Sequence, residues 1–442
     1  MDLKVATAAA LEAACAAGAL SAEAFACEER KVTFLAGPKG LEGSTAVGAC
    51  GVGIRAAGPG QGGMAYSSGL DRERCAAAGR GAWAARRRLE PPWRFPGPEA
   101  AQPVPGLADP MVSQFHPAQA QALLAEAAQG VTAAGAQLTW VELSVLGRRF
   151  QVHNTLGVDQ GVLATWVEVG AGAVAREGEQ AYTANVRRVW RSLAEACPLE
   201  VGQGAAALAL SALGPKPVPT GRYPVVFRPR ALADLFLPGL VPALLDGEVD
   251  AQPYREGEGL GPAWFNLFDD PLRAGGPASR AWDETGEPAR RAELISRGTF
   301  QGPLRLGGHA FRRRQGRLTT FIEAGGAYAL GPVPGATNLV VRAQGAPPLG
   351  NVDRALVVDG LLGAFVTDPA TGGFSVTAAH AWMMEQGRLA HPVNRVMLSG
   401  RVRDVLSGLI AAGDDLDSVG YAPGPYLITP SLCCADVQVT GG

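Results

Sequence analysis

The stretch "EPPWRFPGPEAAQPVPGLAD", Glu90 to Asp109, carries six prolines in twenty residues. Proline fixes φ and has no amide hydrogen, so such a stretch continues neither a helix interior nor a central strand. It reads as a linker or surface crossing and divides the chain. Before it, "MDLKVATAAALEAACAAGAL" has helical composition, and "EAFACEERKVTFLA", "STAVGACGVGIRAA" and "GGMAYSSG" are strand-like runs separated by glycine turns. "DRERCAAAGRGAWAARRRL" returns to helix, giving an α-β-β-β-α unit. After it, "HPAQAQALLAEAAQGVTAAG" reads as a helix leading into "LTWVELSVLGRRFQVHNTLGVDQGVLATWVEVGAGAV". There Val141, Leu143 and Val145 alternate with Trp140, Glu142 and Ser144, which predicts antiparallel strands with one wet face. A second proline-rich transition, "GPKPVPTGRYP" at 214–224, opens a strand-rich, glycine-dense remainder. Near its end "RVRDVLSGLIAAG" places Val402, Val405, Leu406, Leu409 and Ile410 at the offsets of one buried helical face, with Gly413 positioned to close it. The predicted architecture is α+β. An N-terminal α/β domain covers 1–110 with the linker at its end, a helix plus antiparallel strands at 111–220 continue it, and a C-terminal antiparallel β-rich domain covers 221–442.

Charge excludes some partners. Lys plus Arg total 39 against 41 Asp plus Glu, and 47% of the 442 residues are apolar. That balance lacks the basic footprint of phosphate-backbone binding, so nucleic acid is not an expected partner. The runs Arg86–Arg87–Arg88 and Arg312–Arg313–Arg314 read as solvated faces, the first where a helix ends and cations suit its dipole. The longest uncharged runs, 201–215 and 324–341, are interrupted by Gly and Pro and fall short of the ~20 apolar residues of a membrane span, so no membrane partner is expected. The N-terminal segment lacks the pattern of a signal peptide, and seven scattered cysteines do not resemble the disulfide framework of a small secreted domain. These features predict a soluble, cytoplasmic protein.

No motif announces catalysis. "GPGQGG" fits G-x-G-x-x-G through Gly58, Gly60 and Gly63, but it lies between two strands and reads as a hairpin turn. Neither a P-loop nor a nucleophile elbow occurs. Asp269–Asp270 and Asp414–Asp415 with Asp417 lack EF-hand spacing and suit turns. None of the five histidines, His116, His153, His309, His380 and His391, is followed by Glu, so an H-E-x-x-H zinc site cannot be assembled. His153 falls on the polar face of its strand, and His391 precedes Pro392 at a strand start. His380 shares a face with Phe374, Val376, Ala378, Trp382 and Met384, the setting of a hydrogen-bonded core histidine. Ser375 and Thr377 lie on the opposite face from His380, so they do not form a nucleophile–base pair with it. Cys433 and Cys434 are adjacent and point in different directions, a poor basis for a shared metal.

Four stretches, in this order, resemble the TldD/PmbA family: "GVGIRAAGPGQGGMAYSSGLD"; "QVHNTLGVDQG" with its Asn-x-x-Gly turn; "LFDDPLRAGGPASRAWDETGEPARRAELISRGTFQGPL" with Asp-Asp-Pro, Asp-x-x-Gly and LI-x-x-G; and "GGFSVTAAHAWMMEQGRLAHPVNRVMLSGRVRDVL". In the TldD branch, the helix after a "PVVF"-type strand carries a His-Glu-x-x-x-His zinc motif, and a Cys nearer the C-terminus completes the metal site. Here that helix reads "LADLFLPGLVPALLDGEVD", without His or Cys, and Pro238 and Pro242 require a first turn or a kink. The stretch corresponding to the third ligand reads "YAPGPYLITP" and offers none. The resemblance therefore implies the TldE (PmbA)-like branch: a chain with no catalytic residues, no metal ligands and no cofactor of its own.

Its implied partners are a zinc-bearing TldD-like subunit, with which it forms a heterodimeric peptidase, and unfolded or modified peptide substrate. Sheet edges able to accept a peptide backbone would be its physical contribution. Two alternatives remain open: a homodimeric peptide-binding protein without catalysis, and a hydrolase using non-metal chemistry.

Overall fold

The computed structural model describes residues 2–312 and 326–441. Its N-terminal part is one antiparallel sheet with helices on one face. Helix α1 (Leu3–Ala16) starts at Asp2, whose carboxylate accepts a hydrogen bond from the Lys4 amide, and α2 (Arg72–Ala84) starts at Asp71 in the same way. Between them run β1 (Ser21–Gly37), β2 (Gly40–Gly58) and β3 (Gln61–Ser68), followed by the two-residue β4 (Arg87–Arg88). The chain then crosses through the proline-rich stretch to the short α3 (Pro110–Ser113), α4 (Pro117–Ala133), β5 (Gln137–Asn154), β6 (Asp159–Glu177), β7 (Gln180–Trp190) and α5 (Pro198–Leu210). The sheet order β4-β3-β2-β1-β5-β6-β7 joins strands from both sides of the proline-rich stretch, through the β1–β5 pairing. "GPGQGG" is a hairpin turn, as its position between strands requires: Gly58 pairs with Gln61, and Gly60 takes φ +64° between them.

Alanine-rich helices cover one face. Ala6 and Ala10 of α1 pack on Val52 and Ile54, while Leu124 of α4 and Ala205 of α5 pack over Val141, Leu143 and Val169. On the other face, Phe25, Phe150 and Val152 pack against Tyr328 from the C-terminal part. Gly53 is required there, because a Cβ would lie 1.9 Å from the Tyr328 carbonyl oxygen.

The C-terminal part opens with β8 (Gly221–Phe227) and α6 (Pro229–Gly239). There follow β9 (Asn266–Asp269), β10 (Ala292–Ser296), β11 (Thr299–Phe300), β12 (Ala310–Arg312), β13 (Pro332–Pro334), β14 (Asn338–Arg342), β15 (Arg354–Leu362) and β16 (Gly373–Glu385). Then come β17 (Arg388–Pro392), β18 (Met397–Arg401), α7 (Val402–Ser407), β19 (Leu409–Ala412), β20 (Asp417–Gly420), β21 (Tyr426–Thr429) and β22 (Leu432–Thr440). One sheet runs β15-β8-β22-β18-β16, and β16 pairs back onto β15, so five strands close into a ring. A second runs β11-β10-β9-β14-β21-β20. Pairing is antiparallel except between β8 and β15 and between β14 and β21. The buried face of α6, with Leu232, Leu235 and Phe236, packs into a core shared with Phe227, Leu356 and Val376, each such side chain contributing roughly 1.5–3 kcal/mol.

Four expectations are corrected. "RVRDVLSGLIAAG" is not one helix: α7 stops at Ser407, Gly408 follows, and Leu409–Ala412 is strand β19 paired to β22, which turns Ile410 outward. His391 lies near the end of β17, not at a strand start. The polar face of β5 is not wet, because Ser144 and Arg148 are buried.

The fourth correction is the largest. Arg312 is not solvated; its guanidinium is buried against the carboxylate of Glu23 on β1. Arg313 and Arg314 lie outside the described residues. Glu23, fully buried, also accepts from Arg55 Nε at 3.1 Å and Nη2 at 2.7 Å. Arg148 on β5 pairs with Glu29 at 2.7 Å and with Glu284 at 2.8 Å. Burial pushes the Glu23 carboxyl up, but Arg55 and Arg312 outweigh it and hold it below the usual carboxylate range. For Glu29, burial outweighs Arg148 and the carboxyl is raised. The N-terminal sheet is thus joined to the C-terminal loops through buried ion pairs.

Candidate functional site

Two stretches named by the family resemblance for metal ligands, the helix within 232–250 and "YAPGPYLITP", converge in space. Helix α6 follows β8 directly, with Pro229 in its first turn, where the missing amide costs nothing. Pro238 lies inside the helix, which ends at Gly239 and passes into a 3₁₀ turn, Val241–Leu244, containing Pro242. Arg230, Asp234 and Pro238, four residues apart, lie on the less buried face of α6. That face borders two cavities.

At the C-terminal end of α6 is an apolar pocket of about 430 Å³, walled by Pro238, Val241 and Pro242 together with Phe311, Phe365 and Pro425. Gly424 and Pro425 belong to the second of the two stretches, so both meet here. Thr367 also lines the pocket, and its buried Oγ1 has no hydrogen-bond partner among the described residues. Zinc requires imidazole, thiolate or carboxylate donors, and α6 with its 3₁₀ extension supplies no His or Cys. Among the described residues, no group of three or more His, Cys, Asp and Glu is arranged to hold a metal. The residues present do not fit zinc, and no chemical step is derived through it.

At the N-terminal end is a cleft of about 710 Å³, bordered by Asn185 and Arg188 of β7, Arg230 and Asp234 of α6, Asp359 and Trp382. Arg230 donates through Nη1 to the Asn185 carbonyl at 2.6 Å and through Nη2 to its Oδ1 at 3.0 Å. The Asp234 carboxylate accepts from the Leu361 amide at 2.8 Å, yet burial raises its pKa. His380 is the hydrogen-bonded histidine expected from its strand pattern: Nε2 lies 3.0 Å from the Thr183 carbonyl oxygen, and the ring stacks on Trp382. Burial lowers its pKa.

The remaining singled-out residues do structural work. Asp269 Oδ1 accepts from the Thr337 amide and hydroxyl, and its Oδ2 is 3.2 Å from His309 Nδ1. Asp283, in the Asp-x-x-Gly turn, accepts from the amides of Thr285, Glu287, Gly308 and Ala310. Asp415 accepts from Ser431, and Asp417 pairs with Arg188. His116 caps α4, and His153 is half-buried, contrary to its expected exposure. Cys433 and Cys434 face different cores, and burial pushes the Cys433 thiol up to about 12. Phe311, Phe365 and Thr367 were not singled out from the sequence, since residues in a three-residue strand and a single 3₁₀ turn or at its end carry no periodic signal.

Known proteins resemble this architecture. Residues 220–441 match the family described as the PmbA/TldA metallopeptidase C-terminal domain. The chain is 26% identical to the metalloprotease PmbA of Escherichia coli O157:H7 over 355 residues, 74% of each chain. It is 30% identical to the metalloprotease slr0863 of Synechocystis over 226 residues, 49% of this chain and 47% of that one. The crystal structure of TldE from Thermococcus kodakarensis superposes with a TM-score of 0.83 at 20% identity, covering 98% of this chain and 99% of that one. A putative modulator of a DNA gyrase from Thermotoga maritima gives 0.81 at 20% identity, covering 98% of both chains. At such identities the structural matches establish a shared fold. No helix among the described residues is long and apolar enough to cross a membrane.

Proposed function

The chain belongs to the PmbA/TldD family, and from that premise we propose that it is the TldE-like, non-catalytic subunit of a metallopeptidase whose zinc resides in a TldD-like partner. One observation carries the reading: the two stretches expected to hold metal ligands meet at a pocket walled by proline and phenylalanine, with no imidazole or thiolate. The pocket instead suits apolar side chains of an extended, unfolded or modified peptide, with Thr367 Oγ1 free to hydrogen-bond. Hydrolysis would then proceed in the zinc-bearing subunit, while this chain holds substrate and walls off folded proteins. Cytoplasmic placement belongs to the same reading.

The test is co-expression with a His-Glu-x-x-x-His relative from the same organism, followed by native mass and peptidase assay. A one-to-one complex that cleaves unfolded peptide, with activity lost when only the relative's motif is mutated, is the expected result. Peptidase activity in this chain purified free of any relative would overturn it. A homodimer that binds peptide and ignores the relative would instead favour the non-catalytic peptide-binding alternative, which the same apolar pocket also supports.

A further inference from the structure

The cleft at the N-terminal end of α6 holds charges that the fold does not use. Four arginines and four aspartates line it. Most are committed. Arg187 pairs with Glu142 and Glu168, Arg188 pairs with Asp417, and Asp415 accepts from Ser431. Arg230 donates to Asn185, and Asp234 accepts from the Leu361 amide. That leaves Arg228 and Asp359, both half-buried, whose side chains have no hydrogen bond or ion pair among the described residues. The parallel β8–β15 register sets Phe227 beside Val358 and so brings Arg228 next to Asp359. The guanidinium nevertheless lies over the Trp382 ring, 5.9 Å from its centroid, instead of closing on that carboxylate. Trp382 is held in place, buried and donating through Nε1 to the Ser211 carbonyl at 2.9 Å.

The same cleft carries three large apolar side chains that stand in solvent. Leu389 on β17 and Leu416 and Tyr421 on either side of β20 are 55%, 55% and 62% exposed, and they form its rim. Single apolar residues on a surface are ordinary. Three from separate places, converging on a cleft with an unpaired cation and an unpaired carboxylate, have the composition of a ligand site.

We propose that this cleft binds the free carboxyl end of a peptide whose last side chain is apolar. Arg228 takes the terminal carboxylate, Asp359 accepts an N–H from the last peptide bonds, and the apolar side chain lies against Trp382, Leu389 and Tyr421. A guanidinium offers two parallel donors that match the two oxygens of a carboxylate, and stacking on an aromatic ring leaves those donors free. An amino end would give Arg228 only a carbonyl and leave its charge unanswered. A nucleotide would bring several negative charges to one unpaired cation among four aspartates. The volume of about 710 Å³ lies in the upper part of the roughly 300–1,000 Å³ range of enclosed sites, with room for more than one residue.

The test is isothermal titration calorimetry of the purified full chain with N-acetylated tetra-alanyl-phenylalanine, as the free acid and as the carboxamide. The acid should bind at least tenfold more tightly than the amide, since a hydrogen-bonded charge pair corresponds to roughly 10–150-fold in affinity. An acid ending in glycine should bind severalfold more weakly than the one ending in phenylalanine. Arg228→Gln should weaken the phenylalanine acid to the level of the amide and leave the amide unchanged. Should that variant fail to fold, the comparison of acid with amide in the parent chain decides. Equal affinity for acid and amide, no binding of either at millimolar concentration, or an acid preference that survives Arg228→Gln overturns the proposal. So does tighter binding of a peptide amide with a free amino end, or free phenylalanine binding as tightly as the peptide acid.

The inference shares with the peptidase reading the premise that this chain binds peptide, and adds which end is read, at a site apart from the apolar pocket. The two can fail separately. An acid preference controlled by Arg228 in a chain that ignores the zinc-bearing relative would keep this site and remove that reading. An active one-to-one complex with no preference for the acid would do the reverse.

Discussion

Replacing Glu23 by Gln tests whether the buried ion pairs hold the two parts of the molecule together. The substitution is nearly isosteric and removes only the negative charge, leaving Arg55 and Arg312 facing an amide in a site with no solvent. Three charge-assisted hydrogen bonds end on this carboxylate, each worth roughly 1.5–3 kcal/mol. Part is retained. Arg312 still donates to the Glu284 and Leu330 carbonyls, and Arg55 still lies 5.5 Å from the Trp93 ring and 5.1 Å from Phe95. The expected cost is about 3–5 kcal/mol, the range for breaking one side of a buried pair. Urea unfolding followed by both circular dichroism and tryptophan fluorescence measures it, as a lower midpoint at unchanged slope. Adding Arg312→Met to Glu23→Gln should cost less than the two single changes summed, by about 1–3 kcal/mol, since one orphaned cation is removed. The pH dependence has a definite sign. Glu23 has a folded pKa below the ordinary 4.5, so its contribution is present above that value and fades as pH falls through the lower folded pKa. A loss below about 1 kcal/mol, or strict additivity in the double variant, would refute the view that these pairs lock the junction.

Three further outcomes are expected. Gly53→Ala should destabilise by about 1–3 kcal/mol in the same urea assay, because the new methyl meets the Tyr328 carbonyl oxygen. Thr367→Val should leave stability unchanged or raise it by up to about 1 kcal/mol, since the buried hydroxyl has no partner among the described residues to lose. Ellman's reagent at pH 8 should modify the exposed Cys15 and Cys197 promptly and Cys433 only after unfolding, because burial holds its thiol near 12.

Much of the N-terminal architecture was legible because its signals are local. The α-β-β-β-α order and the "GPGQGG" turn follow from spacing and from residues within a few positions. What was not legible depends on partners far along the chain. Arg312 reads as part of a basic surface run until Glu23, 289 positions away, is brought against it. Ser144 reads as solvent-facing until Thr33, 111 positions away on β1, is paired beside it and its hydroxyl is buried. The "RVRDVLSGLIAAG" segment fits a helical stripe in isolation, and only its pairing with β22 selects a strand after Gly408. The apolar pocket beside α6 was not legible, because Phe311 of β12 and Phe365 of a 3₁₀ turn lie far apart in the chain and neither carries a periodic signal.

The buried charges between the sheet and the C-terminal loops also limit where a complex could move. Sliding one part against the other would expose Glu23, Glu29 and Glu284 to partners they cannot keep, so hinge motion within the chain is costly on any catalytic timescale. These buried pairs resist movement of one part of the chain against the other. In the peptidase proposed above, admission of a peptide and release of fragments would then be governed where the separate polypeptides meet.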